Sequence, residues 1–129
     1  MLIPEEWRST FELSDFQEKK NEVRMTLKEK SELIPVILKG ENAVLNGYMD
    51  PIEIIDFPFR GKLMYITFLR RRWKIRGEEK GYHNTYRFHR PGMKTTDGFE
   101  NFLKELNRKE FAELCRVWPD LGNLGQETL

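Results

Sequence analysis

At 129 residues the chain has the length of one domain, and 39% apolar residues with nine Phe are enough to build a core. Its formal charge of +1 shows no global preference for a polyanion, and the single Cys115 excludes a disulfide framework and a multi-cysteine zinc site. Pro4, Glu5 and Glu6 stand where a signal peptide needs positive charge, and no segment approaches the roughly 20 apolar residues of a membrane span. The expectation is a soluble cytoplasmic protein that does not engage membranes.

The first predicted element is a short helix in IPEEWRSTF, with Pro4 at a first helical position and two glutamates at its positive end. A hairpin follows, turning at Lys19, Lys20 and Asn21. Val23, Met25 and Leu27 then alternate with Arg24, Thr26 and Lys28, the period of a half-buried strand. Residues 31–50 read as turns and short strands, with Asn46-Gly47 suited to a tight turn.

PIEIIDFPF (51–59), an Arg60-Gly61 turn, the long strand candidate KLMYITFLRRRWKIR (62–76), a GEEKG turn and YHNTYRFHR together predict a three-stranded antiparallel meander. The C-terminal third changes to a helical period. Phe99, Phe102, Leu103 and Leu106 form one stripe, and Phe111, Leu114, Cys115 and Trp118 form another after a phase slip near Asn107. Thr96 or Asp97 can cap the start, with Glu100 placed to reach back, and Pro119 stops the end. The expected fold class is α+β: antiparallel hairpins in a twisted sheet, a short N-terminal helix, and a C-terminal helix or helix pair on one face. A single domain spans 1–118, and 119–129 reads as a frayed tail.

Dividing the charge at these boundaries changes its meaning. Residues 1–59 hold 7 Lys and Arg against 12 Asp and Glu, residues 60–94 hold 11 against 2, and residues 95–129 hold 4 against 7. A ribbon of local charge +9 thus lies between acidic flanks, the electrostatic signature of an anionic partner. Alternation sharpens the picture. One face of 62–76 is apolar at Met64, Ile66 and Phe68, then cationic at Arg70, Arg72, Lys74 and Arg76. Pairing Arg76 with Tyr82 across the GEEKG turn interleaves arginines with aromatics, suited to phosphate contacts plus stacking, on a ribbon narrow enough for a DNA major groove. A one-residue slip of that assumed register exchanges the faces. A charge run is ordinarily a solvated face, and long arginines also cover apolar surface. Here the local imbalance, the face segregation and the aromatic partners weigh for the functional reading.

Other constellations carry less. His83 and His89 lie roughly 20 Å apart on an extended strand, too far to share a metal or a proton. Glu53 and Asp56 fall on opposite faces of their strand. Trp7 and Trp118 read as core or edge residues, Trp73 has room for a surface role, and Cys115 sits on an apolar stripe as a buried thiol. No phosphate-binding loop, dinucleotide fingerprint or nucleophile elbow occurs, so the expectation is a non-enzyme with no cofactor or metal.

The run IIDFPFRGKLMYITFLRRRWKI resembles the "DFP-RGK … hydrophobic strand … RRRW" core of the N-terminal region of bacterial insertion-sequence transposases of the Aon type. GMKTTDGFENFLKEL looks like that family's threonine-led helix, and LIPEEWRSTFELSDFQEKKNEVRMTLKEK is similar to its opening helix and hairpin. The resemblance covers residues 2 to about 106 and is most specific from RGK to RRRW; residues 107–129 depart from it. It implies a non-catalytic module of a mobile element, encoded apart from the catalytic carboxylates, that recognises double-stranded DNA at the element's ends during DNA recombination. Related transposases carry zinc-ribbon cysteines around this segment, and here those positions hold none, so zinc is not implied.

From the resemblance, Arg60, Lys62, Arg70, Arg71, Arg72, Trp73 and Lys74 are candidate DNA contacts. Arg76, Arg87, Arg90 and Lys94 join them on charge alone. Two rival expectations stand beside this one. The ribbon could dock on an acidic partner such as a separately encoded catalytic transposase subunit, or His83 or His89 with a nearby arginine could serve a small ribonuclease.

Overall fold

The computed structural model describes Ile3, residues 5–88 and residues 95–123. The fold is α+β. Strands β1 (Phe11–Glu18), β2 (Glu22–Glu29), β3 (Ala43–Tyr48), β4 (Ile52–Phe59), β5 (Lys62–Leu69) and β6 (Arg71–Ile75) precede helices α1 (Asp97–Lys104) and α2 (Arg108–Val117). One sheet has the order β1-β2-β5-β4, and β3 pairs with β6 in a second, antiparallel one. The chain divides into two compact units. The first takes the described residues within 1–16, 25–52 and 67–86, and the second those within 17–24, 53–66 and 87–129.

In the first unit, Met25, Leu27 and the last residue of β2, Glu29, are fully buried, continuing the alternation expected of this strand. Trp7, Phe11 and Phe68 meet edge to face, with ring centroids 5.1–5.9 Å apart. The expected N-terminal helix is shorter than its sequence suggests, a 3-10 turn over Glu5–Trp7.

The long strand expected over 62–76 is broken. Its apolar part is β5, a strand with four consecutive buried residues from Leu63 to Ile66, and its cationic part is β6, in the other sheet. The switch from apolar to cationic marks the point at which the chain changes sheets. There Arg70 accepts from the Met49 N–H at 2.8 Å and donates from its guanidinium to the Asp50 carbonyl at 3.3 Å. Asn46-Gly47, expected as a turn, is instead a bulge inside β3. Leu45 pairs with Trp73 and Tyr48 with Arg71, so β3 advances one residue more than β6, with Gly47 at a φ of +79°.

In the second unit the expected Arg60-Gly61 turn is present, with φ of 53° and 76°, the doubly positive geometry that matches the strand twist of a two-residue hairpin. Ile55, Leu63, Tyr65, Phe99, Leu103 and Leu121 form the core. Leu121 is buried and belongs to a 3-10 turn over Pro119–Asn123, where the sequence suggested a frayed tail. The Thr96 side chain caps α1 by accepting from the Phe99 N–H and donates to Asp56 at 2.8 Å. Because Thr96 is the cap, Glu100 lies one residue beyond the reach-back position; it is buried, and Lys104 lies 3.5 Å from it. The phase slip at Asn107 is a new helix start, with a reciprocal capping box between Asn107 and Glu110. Phe102, placed in the packing face by its period, is 41% exposed, stacks on Phe99 and lies tilted against Phe57.

Candidate nucleic-acid interface

Three cations of the proposed ribbon are tied to carboxylates of the second unit. Lys62 lies 3.0 Å from Glu18 and donates to the Lys19 carbonyl at 2.7 Å, and Arg60 reaches the other Glu18 oxygen at 3.1 Å. Lys62, more than Arg60, holds the Glu18 carboxyl below the usual carboxylate range. Arg87 pairs with Asp97, which raises the guanidinium pKa further and sets a charge partner at the start of α1. These contacts staple turns and a helix terminus, roles that need no DNA.

In the first unit, the buried Glu29 carboxylate organises the start of β6. Its Oε1 accepts from the Arg71 N–H at 2.8 Å, its Oε2 accepts from the Asn84 amide at 3.0 Å and from the Tyr86 hydroxyl, and its carbonyl accepts from Arg71 Nε at 2.8 Å. Burial, and then the bond to Glu29, push the Tyr86 hydroxyl pKa upward, so the phenol stays a donor. Asn84 also donates to the Leu33 carbonyl at 2.6 Å. Arg71 is therefore a structural residue whose guanidinium lies 5.8 Å from the Tyr48 ring centre.

The register across the GEEKG turn differs from the expected one. Trp73 pairs with Tyr82, with both backbone bonds at 2.7 Å, and among the described residues 81–88 makes no strand beyond that bridge. The offset from the assumed Arg76–Tyr82 pairing is odd, so Tyr82 shares the face of Trp73 and not that of the cations. Arg72 is brought opposite His83, whose Nδ1 lies 3.1 Å from the Asn84 carbonyl. Trp73 is 6% exposed, so its ring belongs to the core and not to a docking surface.

What remains is a short cationic row. Arg72 and Lys74 alternate with Trp73 and Ile75 in β6, so they share the other face at a step of about 6.6 Å, and Arg76 follows in the turn immediately after the strand. None of the three side chains has an ion-pair or hydrogen-bond partner among the described residues. The row is fixed from behind: the Arg76 N–H donates to the Asn42 carbonyl at 2.9 Å, and Arg72 lies along Gly81, where a Cβ would come within 3.2 Å of its Cδ. Arg90, Lys94 and His89 lie outside the described residues.

Sequence reasoning missed Tyr48 and Lys28. The ring is partly exposed, with Lys28 Nζ 5.6 Å from its centre and Arg71 nearby. A cation-flanked aromatic is a stacking platform for a base. No local pattern could reveal it, because Lys28 is on β2 and Tyr48 on β3.

No helix among the described residues is long and apolar enough to cross a membrane, and no group of three or more His, Cys, Asp or Glu among them is placed to hold a metal. No protein-family model, curated protein or solved structure matches the chain.

Proposed function

We propose that the chain is a non-catalytic, cytoplasmic DNA-binding protein, an N-terminal region or accessory component of an insertion-sequence transposase, that holds duplex phosphates with Arg72, Lys74 and Arg76. The observation that carries this reading is the row itself: Arg72 and Lys74 on one face of β6 and Arg76 in the turn just after it, without carboxylate partners among the described residues, on a backbone pinned at both ends. Like charges at this spacing repel, and an anion bound across them removes that cost. Arg60, Lys62, Arg71 and Arg87 are assigned to structure, and the resemblance of RGK to RRRW supplies the biological setting.

Anisotropy titration of a labelled duplex at increasing salt tests the reading. Three neutralised phosphates give a slope of log affinity against log salt of roughly −2.7. The triple variant Arg72→Ala/Lys74→Ala/Arg76→Ala abolishes that slope, whereas Lys62→Ala leaves it unchanged. Absence of binding at low salt, or an unaltered triple variant, refutes it. Binding of polyglutamate as tightly as DNA favours the rival reading, a module that docks on an acidic catalytic subunit.

A further inference from the structure

Tyr48 ends β3, a strand that pairs with β6 on one side and with no other strand among the described residues, and its ring is 36% exposed. Two cations from different strands converge on that ring. Lys28 Nζ lies 5.6 Å and the Arg71 guanidinium 5.8 Å from its centre. Neither side chain has a carboxylate partner among the described residues, and the Nε bond from Arg71 to the Glu29 carbonyl at 2.8 Å fixes the arginine where it stands. Like charges gathered at an exposed ring repel each other, so the arrangement suits a ligand that brings an aromatic face and a negative charge together. A nucleotide is such a ligand: its base stacks on the tyrosine and its phosphate meets the cations.

Strand register sets the kind of DNA from which that nucleotide comes. Tyr48 pairs with Arg71, so the two share one face of the sheet, and Arg72 and Lys74 alternate onto the other. All of these residues belong to the first unit. A duplex lying on the cationic row keeps its bases paired, and with a persistence length of about 150 base pairs it does not turn round the edge of a two-stranded ribbon. A single strand does. We infer that the DNA bound by this protein is a duplex with a single-stranded extension. The duplex phosphates lie along Arg72 and Lys74, and an unpaired base beyond the duplex end crosses the β3 edge and stacks on Tyr48. The inference rests on the DNA-binding reading and narrows it to one class of DNA.

Anisotropy titration of the full chain compares a labelled blunt duplex, the same duplex with a short thymidine extension, and the same duplex with an abasic extension of equal length. The thymidine extension is expected to raise affinity at least about fivefold, the lower end for one base stacked on an aromatic side chain. The abasic extension, which has the phosphates without the bases, gains less. Tyr48→Ala removes the advantage of thymidine over abasic DNA and Tyr48→Phe keeps it, while both variants bind the blunt duplex as the wild type does. Lys28→Gln lowers the salt slope on the extended duplex by about 0.7 and leaves the blunt-duplex slope unchanged. A blunt duplex bound through Arg72 and Lys74 with no gain from the extension overturns the inference and leaves the DNA-binding reading standing. So does a gain that the abasic extension reproduces in full, a comparison that needs no variant, or one that survives Tyr48→Ala. Failure to bind any of these DNAs at low salt overturns both.

Discussion

Replacing Glu29 with Gln tests how the cationic row is held. The carboxylate is fully buried and accepts three side-chain or backbone donors on its two oxygens. A glutamine keeps one oxygen. If that oxygen stays with Asn84 and Tyr86, the new NH2 group meets the Arg71 N–H donor to donor, and one charge-assisted bond worth about 1.5–3 kcal/mol is lost. The opposite orientation loses two, so the lower figure is a floor. Glu29→Ala strands all three donors and costs more, about 3–5 kcal/mol by analogy with breaking a buried charged pair. Tyr86→Phe removes one donor and leaves the carboxylate two, for about 1–2 kcal/mol. Urea titration reads these differences directly: with a slope of about 2 kcal/mol per molar for a chain of this size, Glu29→Gln lowers the midpoint by roughly 1 M. The substitution also removes a negative charge, so electrostatics alone predicts tighter DNA binding. If the carboxylate positions β6, binding weakens instead. A Glu29→Gln midpoint within about 0.2 M of wild type refutes the argument that this carboxylate organises the strand.

Two further outcomes follow from the second unit. Arg60 occupies a left-handed conformation that L side chains adopt at a cost, so Arg60→Asn, which creates the favoured Asn-Gly pair, raises stability by roughly 0.5–1 kcal/mol in thermal or urea unfolding. A loss of stability would show that the contacts of Arg60 with Glu18 and Phe59 outweigh the backbone strain. The Glu18 carboxyl titrates low because of Lys62. A carboxylate depressed on folding contributes stability that is complete above its unfolded pKa, about 4.3 for Glu, and is lost as pH falls through the folded value. Lys62→Met therefore raises the Glu18 midpoint in a carbon-detected NMR titration and flattens the acid limb of the stability profile, and it does so more than Arg60→Ala. An unmoved midpoint contradicts the pairing.

Periodicity was legible wherever a decision is local. Val23, Met25 and Leu27 alternate because a strand shows one face every second residue, and the two helical stripes with a phase slip near Asn107 follow from the 3.6-residue period. The Arg60-Gly61 hairpin is equally local. Glu29 continues the buried row, yet a carboxylate there reads as solvent-facing. Its donors at Arg71, Asn84 and Tyr86 arrive from 42, 55 and 57 residues away.

The charge tells the same story at the scale of the whole chain. Sequence alone determined that cations concentrate in 60–94 and that one face of the 70–76 segment carries them. Only tertiary structure decided which are spent. Glu18 lies 42 and 44 residues before Arg60 and Lys62, and the carbonyl of Glu29 takes Arg71. Pairing with β3 makes Asn46-Gly47 a bulge and not a turn, and a bridge displaced by an odd number of residues moves Tyr82 to the face of the buried Trp73. A side chain's type and the local backbone period are written in consecutive residues. Whether a charge meets a carboxylate, a carbonyl or solvent depends on which distant strand lies beside it, and here that takes Arg60, Lys62, Arg71 and Arg87 out of the ribbon and leaves the row of Arg72, Lys74 and Arg76 without partners among the described residues.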